Sequence, residues 1–123
     1  MNIALWISAW IAALGFLAAG VMKVTRPKAQ LQTSMGWVED FSTSQVKVIG
    51  VLEILGAVGL ILPGLTGIAP VLVPIAATGL ALVMIGAAVV HVRRKEPQLI
   101  VVNLVLLLLM AFVAWGRFGP YPL

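Results

Sequence analysis

Apolar residues run through four stretches of the chain, and most polar and charged residues gather between them. The first stretch, 3–22, is interrupted only by Ser8 and stops at Lys23, Arg26 and Lys28. The second, 46–62, carries Glu53 inside it and ends at Pro63-Gly64, a dipeptide that predicts a turn. The third begins at Ile68 and reaches Val92. Pro70 and Pro74 stand near its start, so regular helix is expected from Pro74, proline being suited to a first turn. The fourth, 99–115, has Asn103 as its one strongly polar member. A bilayer core takes about 20 helical residues to cross. The first and third runs reach about that length, and the second and fourth are somewhat shorter. Their hydrophobicity is continuous, whereas the strands of an outer-membrane barrel alternate. The pattern predicts an all-α integral membrane four-helix bundle with antiparallel neighbours, one transmembrane domain over 1–123 with spans 3–22, 46–62, 74–92 and 99–115.

The connection from Thr25 to Gln45 is longer than a minimal helix hairpin needs. Leu31, Met35, Val38 and Phe41 recur there at helical spacing, while Gln32, Ser34, Glu39 and Asp40 fall largely off that face. This predicts a short interfacial helix between spans one and two, anchored by Trp37 at the headgroup level. Within the spans, small residues should let backbones approach: Gly15 with Ala19, the cluster Gly56, Ala57 and Gly59, Ala77 with Ala81, and Val83 with Ala87. The same spacing also suits a homo-oligomer interface.

Composition sharpens the reading. The 123 residues are 62% hydrophobic and 10% charged, against roughly a quarter charged in soluble domains. A net charge of +4 would suggest nucleic acid in a soluble protein. Here the basic residues flank apolar runs, so lipid phosphates are the expected partners and nucleic acid is excluded. Lys23, Arg26, Lys28, Lys47, Arg93, Arg94 and Lys95 fall on one side of a four-span topology, and Arg117 falls alone on the other. The positive-inside rule then places loops one and three in the cytoplasm and both termini outside, in a cytoplasmic (inner) membrane. A secretory signal carries positive charge before its apolar core. Here the charge follows the core, which predicts a retained first helix. With no cysteine, disulfides, thiol exchange and thiolate metal sites are all absent.

Ionisable groups inside a membrane are costly, and each calls for a partner or a purpose. Lys23, Glu53, His91 and Asn103, one on each helix, come out at similar depth. At about 1.5 Å per residue, Glu53 and Asn103 should sit roughly 6 to 10 Å below the basic-side interface. Gly56 and Ala57 follow Glu53 at i+3 and i+4, so its face is narrow and should turn towards other helices, with Lys23, His91 or Arg93 as partner. The four are candidates for a structural clamp or for ligand and proton handling. Arg93, Arg94 and Lys95 are read as topology determinants or an anionic-lipid contact. One histidine and one buried glutamate make no metal cage, and no catalytic nucleophile is recognisable.

Several segments together resemble the small DoxX-like membrane proteins. They are Ala19-Gly20-Val21-Met22-Lys23, Gly36-Trp37, Gly50-Val51-Leu52-Glu53-Ile54-Leu55-Gly56, Gly59-Leu60-Ile61-Leu62-Pro63, Gly86 to His91, and Asn103. The resemblance implies a four-helix bundle in which Lys23, Glu53, His91 and Asn103 occupy recurrent polar positions. The family takes its name from a thiosulfate:quinone oxidoreductase system, and its relatives resemble membrane partners of redox enzymes or assembly chaperones for receptors. Two expectations follow. The first is a non-enzymatic accessory or scaffold protein that binds a membrane or cytoplasmic protein partner, or lipid, through its bundle and holds no covalent cofactor. The second is a redox-linked subunit that binds a quinone or another apolar small molecule near Glu53 and His91.

Overall fold

In the computed structural model, which describes residues 1–33 and 35–123, the chain is built from helices. They are α1 (Asn2–Thr25), α2 (Lys28–Leu31), a 3-10 turn at Gly36–Asp40, α3 (Thr43–Thr66), α4 (Leu72–Arg93) and α5 (Pro97–Phe118). Four of these, α1, α3, α4 and α5, are long and apolar enough to cross a membrane.

Helices α1, α3 and α5 extend beyond their apolar runs at both ends, whereas α4 begins at Leu72, inside its run. At the start of α3, the Ser42 hydroxyl accepts from the Gln45 backbone N–H while the Gln45 side chain accepts from the Ser42 N–H. This reciprocal cap satisfies two N–H groups that a helix start leaves open. The expected turn at Pro63-Gly64 does not form, and α3 continues to Thr66 before Gly67 ends it at φ 72°. A proline inside a span is tolerated because neighbouring helices and Ser/Thr side chains re-satisfy the backbone it disturbs. The carbonyl that Pro63 leaves without its helical donor is that of Gly59; beyond it the Thr66 hydroxyl donates to the Leu62 carbonyl and the Gly67 N–H to that of Pro63, closing the helix end.

Between α4 and α5 the turn is minimal. The Lys95 N–H donates to the Val92 carbonyl and the Glu96 N–H to that of His91, with Lys95 at φ 57°. This is a Schellman ending with lysine where glycine is usual. Such a conformation costs a non-glycine residue on the order of 1 kcal/mol. It reverses the chain within three residues and brings Glu96 back beneath His91.

The long helices form an up-down-up-down ring in which α1 packs broadly on α3 and α4 on α5, while α3 meets α4 and α1 meets α5 along narrower seams. Antiparallel register follows from the contacts. Gly20 lies against Gly50 and Trp6 against Gly64, whereas Gly56 lies against Leu80 and Gly116 against Leu5. The core holds Ala9, Ala12 and Phe16 of α1, Leu60 of α3, Ala77 and Leu80 of α4, and Met110 and Val113 of α5. Large apolar side chains such as Ile3, Leu82 and Leu108 point outward and stay exposed. That outward-facing surface belongs in lipid.

The expected pairing of Gly15 with Ala19 does not close the bundle, because a Cβ on Gly15 would meet nothing within 4 Å. Gly20 makes the close approach instead. Five residues at about 100° each swing the helix face by roughly 140°. With apolar residues all round α1, the sequence offers no amphipathic cue to its rotation.

The segment between α1 and α3 uses the residues expected of it in two short pieces. Leu31 of α2 and Val38 of the 3-10 turn are buried with Val46, and Met35, Trp37 and Phe41 pack around them. Trp37 and Phe41 meet edge to face at 5.5 Å. Ser34 lies outside the described residues.

Candidate functional site

Lys23 and Glu53 form a buried ion pair, with the lysine ammonium donating to Glu53 Oε1. The packing of α1 on α3 makes this contact. A Cβ on Gly50 would lie 2.8 Å from Lys23 Cβ. The missing side chain therefore leaves room for the root of Lys23 to lie across α3 and reach Glu53 one turn deeper. Glu53 is 2% exposed and Lys23 8%. Trp37 closes the top, its ring centroid 5.2 Å from the lysine nitrogen. The ammonium is thus held by a carboxylate below and an aromatic face above, both favourable to a cation taken out of water. Trp37, expected as an interfacial anchor, also covers this pair.

A second cluster sits at the same end of the bundle. Arg94 donates to Glu39 Oε1 at 2.8 Å, Asp40 Oδ2 at 2.9 Å and Glu96 Oε1 at 3.0 Å. His91, buried at the end of α4, has Nδ1 3.1 Å from Glu96 Oε1. Arg94 therefore fastens the 3-10 turn, and Trp37 with it, to the turn between α4 and α5. Hydrogen bonds donated to Glu39 and Asp40 push the Arg94 pKa up from its ordinary value. The hydrogen bond with His91, followed by that with Arg94, pulls the Glu96 carboxyl below its ordinary 4.5.

The sign of the pH dependence follows from Glu96. A carboxyl whose folded pKa is depressed adds stability above its unfolded pKa and loses it as pH falls through the folded value. Arg94 stays charged throughout. Glu96 holds the Arg94 guanidinium through Nε while Nη1 reaches Glu39 and Asp40, so as Glu96 protonates below its ordinary 4.5 Arg94 loses the acceptor that aims it at the 3-10 turn and the fastening should weaken. Limited proteolysis of the solubilised protein would register this as faster cleavage within residues 32–42. Arg94→Gln should produce the same several-fold acceleration at pH 7 while leaving the four spans folded. Cleavage in that variant no faster than wild type would show that Arg94 does not hold the segment.

The four polar residues expected to share a depth are all buried. They do not form one cluster. Lys23 joins Glu53 and His91 joins Glu96, and among the described residues no hydrogen bond or ion pair links Glu53 with His91. Asn103 of α5 is 7% exposed, and its Nδ2 has no hydrogen-bond partner. Arg93 and Lys95 are exposed, whereas Arg94 is committed to three carboxylates.

Sequence reasoning missed Glu96. The available cue was an acid directly after three basic residues at a helix end, where the chain must turn back. It also missed the opposite end, where Arg117 Nη1 donates to Asn2 Oδ1 at 2.6 Å and to the Tyr121 carbonyl at 3.0 Å. Residues 115 positions apart leave no sequence cue of their meeting.

Along the α3–α4 seam a shallow apolar groove of about 340 Å³ is lined by Leu55, Gly56, Gly59, Ala76 and Gly79 among others. Glu53 is not among its lining residues.

These features define a multi-pass helical membrane protein whose few charged groups tie one end of the bundle together. The model of the DoxX-like family matches residues 7–113, and the chain belongs to that family. No curated protein and no solved structure matches it.

Proposed function

We propose that this protein is a non-enzymatic accessory or scaffold subunit of the cytoplasmic membrane, binding a partner protein or lipid through the outer faces of its bundle. One observation carries the reading. All four acidic side chains, Glu39, Asp40, Glu53 and Glu96, are engaged in ion pairs within the chain. A proton relay or acid–base catalyst needs a group able to change its protonation state during turnover. Here the acids hold the 3-10 turn to the turn between α4 and α5 and lock α1 to α3. The charge goes into presenting a defined surface.

A second reading rests on Asn103. A buried amide N–H without an acceptor is costly, and the carbonyl oxygen of a quinone or a similar apolar molecule between the helices would satisfy it. In that reading the protein is a redox-linked subunit.

Extraction in a mild detergent, followed by mass spectrometry of co-purifying proteins, lipids and quinones, separates the two. A stoichiometric protein partner or a retained lipid supports the scaffold. A retained quinone, lost on Asn103→Leu, supports the second reading and overturns the first. The proposed orientation has its own test, made simple by the lack of native cysteine. A cysteine placed at Arg93 should resist an impermeant thiol reagent in intact cells, and one placed at Tyr121 should react. The reverse pattern would invert the topology.

A further inference from the structure

Arg117 is a buried cation that forms no ion pair among the described residues. The chain has four acidic side chains, and all are committed to Lys23, His91 or Arg94 at the opposite end of the bundle. Arg117 is 6% exposed, and among the described residues it makes no ion pair. Its surroundings nonetheless hold it in one orientation. Asn2 Oδ1 and the Tyr121 carbonyl take Nη1, and the Trp6 ring lies 5.6 Å from the guanidinium carbon.

The remaining edge, Nε with Nη2, makes no hydrogen bond to the described chain. Neither nitrogen is fully sealed, since Asn103 Nδ2 is the one side-chain nitrogen or oxygen among the described residues both sealed and unpaired. A guanidinium oriented in this way offers two parallel N–H donors to a pair of oxygens on an anion. Trp115 and Tyr121 meet edge to face beside it. Trp and Tyr gather at the depth of the lipid headgroups, where phosphates lie.

We infer that Arg117, positioned by Asn2, Trp6 and the Tyr121 carbonyl, is a phosphate-binding site at the end of the bundle opposite the basic loops. The phosphate comes either from a phospholipid headgroup or from a soluble anion. Binding pairs a buried charge that makes no ion pair among the described residues.

The test uses the full chain in nanodiscs of phosphatidylcholine containing phosphatidylglycerol with a photoreactive headgroup. Crosslinks should map to residues 1–10 and 112–123, and they should saturate at one lipid per chain. Native mass spectrometry of the detergent-solubilised protein should then show phosphatidylglycerol retention falling about tenfold in Arg117→Lys, which keeps the charge and loses the fork. Arg26→Gln, at the far end, should retain it.

Adding inorganic phosphate identifies the source. Displacement of the lipid marks a site open to soluble anions, and no displacement marks a headgroup site. Crosslinks confined to the other end, or equal retention in Arg117→Lys and wild type, would overturn the inference. The crosslinking arm needs no variant, so it decides the matter even if Arg117→Lys fails to fold.

Discussion

Lys23→Met is expected to destabilise the folded bundle by about 3–5 kcal/mol, the cost of stranding a buried charge by removing its partner. Glu53 is 2% exposed, and Lys23 is its hydrogen-bonding and ion-pairing partner. With methionine at position 23 the carboxylate keeps its burial and loses the cation. Trp37 would then cover a thioether in place of an ammonium, so part of the hold on the 3-10 turn should go as well. Removing both charges has a different outcome. A buried ion pair repays little more than its own desolvation, and replacing it with apolar residues of similar size is often neutral. The double variant Lys23→Met/Glu53→Leu should therefore recover most of the loss. The two single substitutions should couple by about 0.5–3 kcal/mol, as contacting residues do. Unfolding in mixed micelles of mild detergent and dodecyl sulfate measures all four corners of the cycle. Additive effects, or a Lys23→Met variant as stable as wild type, would mean that the pair is not closed in the membrane.

The second large effect is expected at the α1–α3 crossing. A Cβ on Gly50 would lie 2.8 Å from the Gly20 carbonyl oxygen, and one on Gly20 would lie 2.6 Å from that of Gly50. Backbone meets backbone here, so no side chain can rotate away to make room. Gly50→Ala should cost about 1–3 kcal/mol by overpacking, and Gly50→Leu more. Gly50 also makes room for Lys23, with 2.8 Å between its added Cβ and Lys23 Cβ. Gly50→Ala should therefore couple with Lys23→Met, since widening the crossing pulls the ammonium off Glu53. Gly79→Ala and Gly86→Ala supply the contrast, because an added Cβ at either meets nothing within 4 Å. Relief from the glycine penalty should make them neutral or stabilising by up to about 1 kcal/mol. If Gly50→Ala and Gly79→Ala prove equally mild, the helices are not in the close contact described.

Much of the candidate site was legible as depth. Glu53 within an apolar run had to turn inward, because hydrocarbon offers no partner for a carboxylate. Lys23, closing the first span, stood at a depth from which it could answer. Which cation would answer was not legible. Lys23, His91 and Arg93 all qualified by depth, and the choice fell to the separation of α1 and α3 at Gly20 and Gly50. His91 met an acid that sequence reasoning passed over, because Glu96 reaches it through a turn with Lys95 in a left-handed conformation. Arg94 looked like one of three equivalent basic residues until the 3-10 turn supplied Glu39 and Asp40.

The sequence by itself determined a membrane protein of four helices, their order and antiparallel course, and the end at which most charges collect. These properties depend on the length and sign of residue runs, which the bilayer reads one dimension at a time. Only the tertiary structure decided the rotation of each helix. It thereby decided that Gly20 and not Gly15 meets α3, that Lys23 pairs with Glu53 and His91 with Glu96, and that Arg117 makes no ion pair among the described residues. The reason is physical. In a soluble helix an apolar stripe announces the buried side, whereas in lipid both sides are apolar and burial is chosen by close packing of small residues and by the pairing of a few polar groups.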